Sequence, residues 1–211
     1  MGVIEEKFII RTEDGLRSLM GYPKEIAEKK MITTLDENCK EFIAKSPFML
    51  LSTSNASGQC DVSPRGDHPG FVHIIDEQHL LIPERPGNKR YDSLRNIIGN
   101  PEAGLLFLIP GLGETLRING RAYITTDPKL LAPAAVRDSV PVMGIIVEAV
   151  ECFLHCAKAF RRSQLWEPGS WLDTADLPSA ARMLSEHIRM EGLTPEAVAL
   201  SLEDGYKNRL Y

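Results

Sequence analysis

The sequence is short of the features that mark the specialised classes of protein. Its four cysteines, Cys39, Cys60, Cys152 and Cys156, are too few and too scattered among 211 residues for the disulfide framework of a small secreted domain. They read as reduced thiols. No apolar run approaches the roughly 18 residues that a membrane span needs. Met1 to Arg11 also lacks the basic, apolar and small-residue order of a signal peptide. A cytoplasmic location without a membrane partner is the expectation. Positive charge is in deficit: 24 Lys and Arg face 29 Asp and Glu, for a net charge of −5, and the basic residues are dispersed. That balance argues against a surface that tracks DNA or RNA phosphates, so no nucleic-acid partner is expected.

Familiar catalytic signatures are missing as well. Without a Gly-x-Ser-x-Gly elbow, nothing supports a nucleophilic triad. Gly111-Leu112-Gly113-Glu114 lacks the third glycine of a dinucleotide fingerprint and lies between strand-like segments, so it reads as a turn. The run Cys152-Phe153-Leu154-His155-Cys156 offers three soft donors. It has neither the spacing of a zinc site nor a second cluster nearby, so it reads as core rather than metal.

What remains is an ordinary globular composition, 43% hydrophobic and 25% charged, in a length that suits one domain with appended helices. Residues 1–45 read as N-terminal helices, because Leu16, Leu19 and Met20, then Ile32, Leu35, Cys39, Phe42 and Ile43, recur at three- and four-residue steps. Thr34 and Glu37 have the form of a capping box that starts the second of them. From residue 46 to 156 the pattern changes to short apolar segments between turns. Phe48 to Ser54, Cys60 to Ser63, Phe71 to Ile75, His79 to Ile82, Ala103 to Ile109, Thr115 to Thr126 and Met143 to Phe153 read as strands, and Tyr91 to Ile98 as a helix set among them. Short links make the pairing antiparallel. The pattern predicts an α+β fold: an antiparallel barrel of about six strands, one inserted helix, and flanking helices that resume over 157–211.

Three constellations within the barrel carry candidate chemistry. Gly87-Asn88-Lys89-Arg90-Tyr91-Asp92-Ser93 places two cations, an amide and a hydroxyl where a loop becomes a helix, an arrangement that suits a phosphate. A solvated basic turn is the bland alternative. Asp61-Val62-Ser63-Pro64-Arg65-Gly66-Asp67 runs from a strand into a turn, where Arg65 faces either a ligand or Asp67 as an ion pair. In Leu116 to Ala122, alternation puts Arg117, Asn119 and Arg121 on one face, towards a ligand or towards solvent.

The order of these segments resembles the pyridoxamine 5'-phosphate oxidase-like flavoproteins, the FMN-binding split-barrel superfamily, and within it an oxidase-related bacterial subgroup. The resemblance rests on SPFMLLSTSNASGQCDVSPRGDHPGFV, RPGNKRYDSLRNIIGNPEAGLLFLIPG, LRINGRA and HCAKAFRRSQLW, and spans roughly Ser46 to Trp166. It implies a split β-barrel homodimer with FMN at the subunit interface. By that likeness, Asn88, Lys89, Arg90 and Ser93 match the family's phosphate loop, and Ser63, Pro64 and Arg65 match the strand along the flavin. Arg117 and Asn119 supply a further wall. Arg162, Ser163 and Trp166 match the stretch by which a partner subunit completes the pocket. The arginine and histidine pattern with which true pyridoxamine phosphate oxidases grip their substrate is not recognisable, so vitamin B6 synthesis is not implied. The expected function is FMN-dependent electron or hydride transfer to or from a small molecule, with no catalytic side chain and no metal. The alternative is a flavin, deazaflavin or haem carrier on the same barrel.

Overall fold

The computed structural model describes residues 5–211. Helices α1 (Glu13–Met20), α2 (Glu25–Lys29) and α3 (Glu37–Lys45) precede the sheet. Strands β1 (Phe48–Ser54), β2 (Cys60–Gly66), β3 (His73–Ile74) and β4 (His79–Pro83) lead into helix α4 (Asp92–Gly99), followed by β5 (Glu102–Leu108) and β6 (Thr115–Thr125). The short α5 (Pro128–Leu131) separates these from β7 (Gly144–His155). Beyond it come α6 (Lys158–Ser163), α7 (Ala180–Ile188) and α8 (Pro195–Asn208).

The seven strands form one antiparallel sheet in the order β2-β1-β5-β6-β7-β4-β3. Along β1, Met49, Leu51 and Thr53 are buried and the residues between them are not, the period-two pattern of a sheet with one apolar face. Met49 and Leu51 at one end of the sheet share a single apolar cluster with Leu80 and Ile82 at the other. A flat sheet cannot bring those ends together, so this one curls into a split β-barrel whose slot lies between β2 and the β4-β3 pair. The curl is helped by a bulge at Asn119/Gly120 in β6. A Cβ at Gly120 would lie 1.9 Å from the Glu148 carbonyl oxygen, so only glycine fits.

The expected α+β split barrel is thus the observed fold, with the strand expected over Phe71 to Ile75 reduced to β3, which pairs with β4 over only two residues. The start of α3 differs from expectation. Asp36, not Thr34, is the cap, its carboxylate accepting from the Cys39 amide at 2.8 Å. The Leu35 amide donates to the Glu77 carbonyl at 2.7 Å and its side chain is buried, which holds residue 35 outside the helix. Helix α4 lies against β1, β2 and β6, with Leu94 and Ile97 buried beneath it. Among the described residues no helix is long and apolar enough to cross a membrane.

Candidate functional site

The link from β4 to α4 builds a cleft at the slot of the barrel. Lys89 (φ 61°) and Tyr91 (φ 55°) are both left-handed, a costly conformation for residues with a Cβ, and they turn the chain sharply before α4 begins. Asn88 closes the turn by accepting from the Arg90 amide at 3.0 Å. Tyr91 occupies the cap position of α4 without supplying a side-chain acceptor, so the first-turn amides of the helix are left uncapped. Ser93, buried beneath that turn, donates to Asp61 Oδ2 at 3.0 Å and lies 3.0 Å from the hydroxyl of Ser63.

The resulting cleft of about 170 Å³ is lined by Asp61, Ser63, Arg65, Glu84 and Gly87 through Ser93. Strand alternation explains the contribution of β2: Asp61, Ser63 and Arg65 share the half-buried face, and Pro64 points the opposite way, exposed. Arg65 pairs with Glu84 across the slot, with both side chains 15% exposed, and its Nε reaches the Ser63 hydroxyl at 3.4 Å. Arg90 Nε donates to Asp92 at 2.8 Å. Lys89 has no ion-pair partner among the described residues. Three cations, Arg65, Lys89 and Arg90, therefore stand among three carboxylates, Asp61, Glu84 and Asp92.

One step outward, a second ion pair spans the same slot. Arg85 donates to Asp67 Oδ2 at 2.9 Å and to the Ala134 carbonyl at 2.9 Å. The side chain of Asp67 is only 3% exposed. Burial pushes its carboxyl upward, but the Tyr211 hydroxyl, the His68 amide and Arg85 outweigh that and hold it below the usual aspartate range. The ion pair between Arg65 and Asp67 allowed by the sequence is replaced by these two crossed pairs.

Ser63, Arg65, Asn88, Lys89, Arg90 and Ser93 are thus brought together in one chain; the other candidates lie elsewhere. Arg117 places its guanidinium 5.4 Å from the centre of the Phe153 ring, and Asn119 donates to Glu151 at 3.0 Å. Both sit on β6, which β1 and β5 separate from β2. Trp166 donates to the Leu112 carbonyl at 2.9 Å and stacks on Phe160, and Arg162 and Ser163 are exposed on α6. The end of β7 splits the cysteine-rich run: Cys152 is buried in the core and Cys156, just past the strand, is exposed. Sequence reasoning missed Glu84 as a lining group. Its place just before the Gly87–Ser93 loop was the available signal.

A cleft with an uncapped helix start, an unpaired lysine, two serine hydroxyls and two arginines has the donor set for a phosphate monoester. Comparison with known proteins supplies a family. The family model described as pyridoxamine 5'-phosphate oxidase matches residues 35–155. No curated protein matches the chain in sequence. Among solved structures, HupZ from Group A Streptococcus is 21% identical, with 56% of this chain and 92% of that one covered and a TM-score of 0.46. An FMN-binding protein from Syntrophomonas wolfei is 11% identical, with coverages of 67% and 97% and a TM-score of 0.45. HutZ, the haem storage protein from Vibrio cholerae, is 16% identical, with coverages of 57% and 93% and a TM-score of 0.39.

Proposed function

Because the chain belongs to the pyridoxamine 5'-phosphate oxidase family, we propose that it is an FMN-dependent oxidoreductase that holds the FMN phosphate in the cleft between β2 and α4. The observation that carries this reading is the combination of the uncapped α4 start, unpaired Lys89 and the Ser63-Ser93 hydroxyl pair around one cavity. The residues fit the group: a phosphate there accepts from the free helix amides and both hydroxyls and is neutralised by Lys89, with Arg65, Arg90 and the Ser93 hydroxyl exchanging their present carboxylate partners for it. Asn88 shapes the turn that presents Lys89. When bound, FMN supplies the electron and hydride chemistry through its isoalloxazine ring, so the protein needs no acid, base or nucleophile of its own.

The chain's contribution is to bind, orient and shield. Pro64, Arg117, Asn119, Arg162, Ser163 and Trp166 do not line the cleft of the chain that contains it. In this proposal they contact FMN from a second copy in a homodimer, apart from Pro64, which shapes the edge of β2. The substrate is a small molecule admitted beside the ring, and the reading includes a cytoplasmic setting.

The visible spectrum after FMN is added to the purified protein tests the proposal. A bound-flavin spectrum with micromolar or tighter affinity supports it, and no uptake overturns it. Mixing the loaded protein rapidly with NADH or NADPH then separates enzyme from carrier. Fast bleaching supports turnover, and the absence of bleaching with any physiological donor favours a carrier of flavin, deazaflavin or haem on the same barrel.

A further inference from the structure

A second cleft of about 230 Å³ adjoins the first and shares Glu84, Gly87, Lys89 and Tyr91 with it. Its chemistry is different. Val140, Val142 and Met143 line it together with Pro86, Tyr91 and Tyr211. Val142 is 81% exposed, Val140 48% and Tyr91 42%, so these apolar groups face the cleft and solvent rather than the core.

Tyr211 reaches this cleft from beyond α8. Its hydroxyl donates to Asp67 Oδ1 at 2.7 Å, and its ring lies 5.8 Å from the Arg85 guanidinium and 5.1 Å from that of Arg137. Arg137 is presented by a tight turn in which it and Asp138 are both left-handed, with Val136 and Ser139 bridged to each other. Past the bond from the Arg209 amide to the Gly205 carbonyl, no backbone hydrogen bond among the described residues anchors Leu210 or Tyr211. Side-chain contacts alone hold the phenol: one charge-assisted hydrogen bond and two cation-π contacts, all reversible without unfolding any element.

We propose that Tyr211 is a movable wall, latched on Asp67, that opens and closes the apolar cleft over a planar aromatic ring. A lining that mixes aliphatic and aromatic groups suits a flat ring, which gains close packing from the former and offset stacking from the latter. The ring has two possible sources, the flavin itself or an aromatic substrate lying beside it. The cleft depends on the FMN reading only for that identity.

The test uses Val142→Glu, which puts a charge into the cleft at an exposed position, and Tyr211→Phe, which keeps the ring and removes the latch. Riboflavin, FMN and anilinonaphthalene sulfonate are the probes. If the ring is the flavin's, Val142→Glu weakens riboflavin and FMN alike by about tenfold or more. If it is a substrate's, flavin affinity is unchanged and the FMN-loaded variant loses the anilinonaphthalene fluorescence that the unaltered protein gives. In either case Tyr211→Phe speeds both binding and release of the cleft's probe by about threefold or more in stopped flow, with little change in affinity. Binding of all three probes unaffected by Val142→Glu overturns the cleft, and unchanged rates in Tyr211→Phe overturn the latch. Should the unaltered protein take up no flavin, the FMN reading falls alone. The dye then decides the cleft: its loss in Val142→Glu upholds it and its retention overturns it.

Discussion

Arg65 and Glu84 form an ion pair between strands that are far apart in the sheet: β2 is one edge, and four strands separate it from β4, which ends just before Glu84. Asp67 and Arg85 repeat the contact with the charges reversed. The two pairs tie across the slot, where among the described residues no backbone hydrogen bond joins β2 to β4 or β3, and they fix the walls of both clefts.

Replacing Arg65 by alanine leaves a largely buried Glu84 without its cation, and the fold should lose about 2 kcal/mol, less than the cost for a fully buried pair. Glu84→Gln in the same background should recover part of that loss. Urea unfolding of the two single variants and the double variant gives the coupling directly. Additive losses would show that the pair does not close the slot.

The Lys89→Ala, Arg90→Ala double variant should bind FMN about 100-fold more weakly, at about 1.5 kcal/mol for each charge-assisted contact. Riboflavin, which lacks the phosphate, should be affected much less. Fluorescence titrations with both flavins compare the losses, and equal weakening would move the phosphate elsewhere. Lys89→Gly should match Lys89→Ala in FMN affinity yet be more stable by about 1 kcal/mol, because glycine relieves the left-handed backbone at φ 61°.

Asp92→Asn carries an opposite expectation for binding and stability. Freed from its 2.8 Å contact with Asp92, Arg90 becomes available to an anion, so FMN should bind about threefold more tightly. The same change removes a negative charge from the first turn of α4 and should cost the flavin-free protein about 0.5 kcal/mol. Titration and thermal unfolding read the two effects separately. Weaker FMN binding would show that Arg90 does not face the phosphate.

Asp67 predicts an acid-sensitive part of the stability. Its folded value is depressed, so its contribution is complete above the ordinary aspartate value of about 3.9 and disappears as pH falls through the lower folded value. Asp67→Asn should be less stable than the unaltered protein by about 2 kcal/mol at pH 7, since Arg85 loses its counter-charge. The gap should narrow below about pH 4 in acid-unfolding curves. A gap that is constant with pH would mean that Asp67 acts through packing rather than charge.

Local rules made much of this architecture readable. The alternation of Met49, Leu51 and Thr53 marks a strand, and the two glycine-containing turns at Asn55–Gly58 and Pro110–Gly113 mark hairpins. The Gly87–Ser93 loop stood out because its cations and hydroxyl cluster within a few residues. The partners of those cations did not stand out. Glu84 meets Arg65 from 19 positions away through the curl of the sheet, and Tyr211 meets Asp67 from 144 positions away through the packing of the C-terminal residues, neither by any local pattern. Pro64 shows the limit of motif matching: it sits between two lining residues, yet the pleat turns it outward. Thr34 fails as a cap for a similar reason, because a tertiary bond from Leu35 to Glu77 decides where α3 can begin.

The balance of three carboxylates against three cations in the smaller cleft also bears on speed. A site already neutral within itself casts little field into solution, so an approaching anion is not drawn in from a distance. Capture then proceeds at the pace of an unsteered encounter and barely responds to added salt. Ionic strength acts instead on residence time, because the contacts that salt weakens form only after the internal partners have let go.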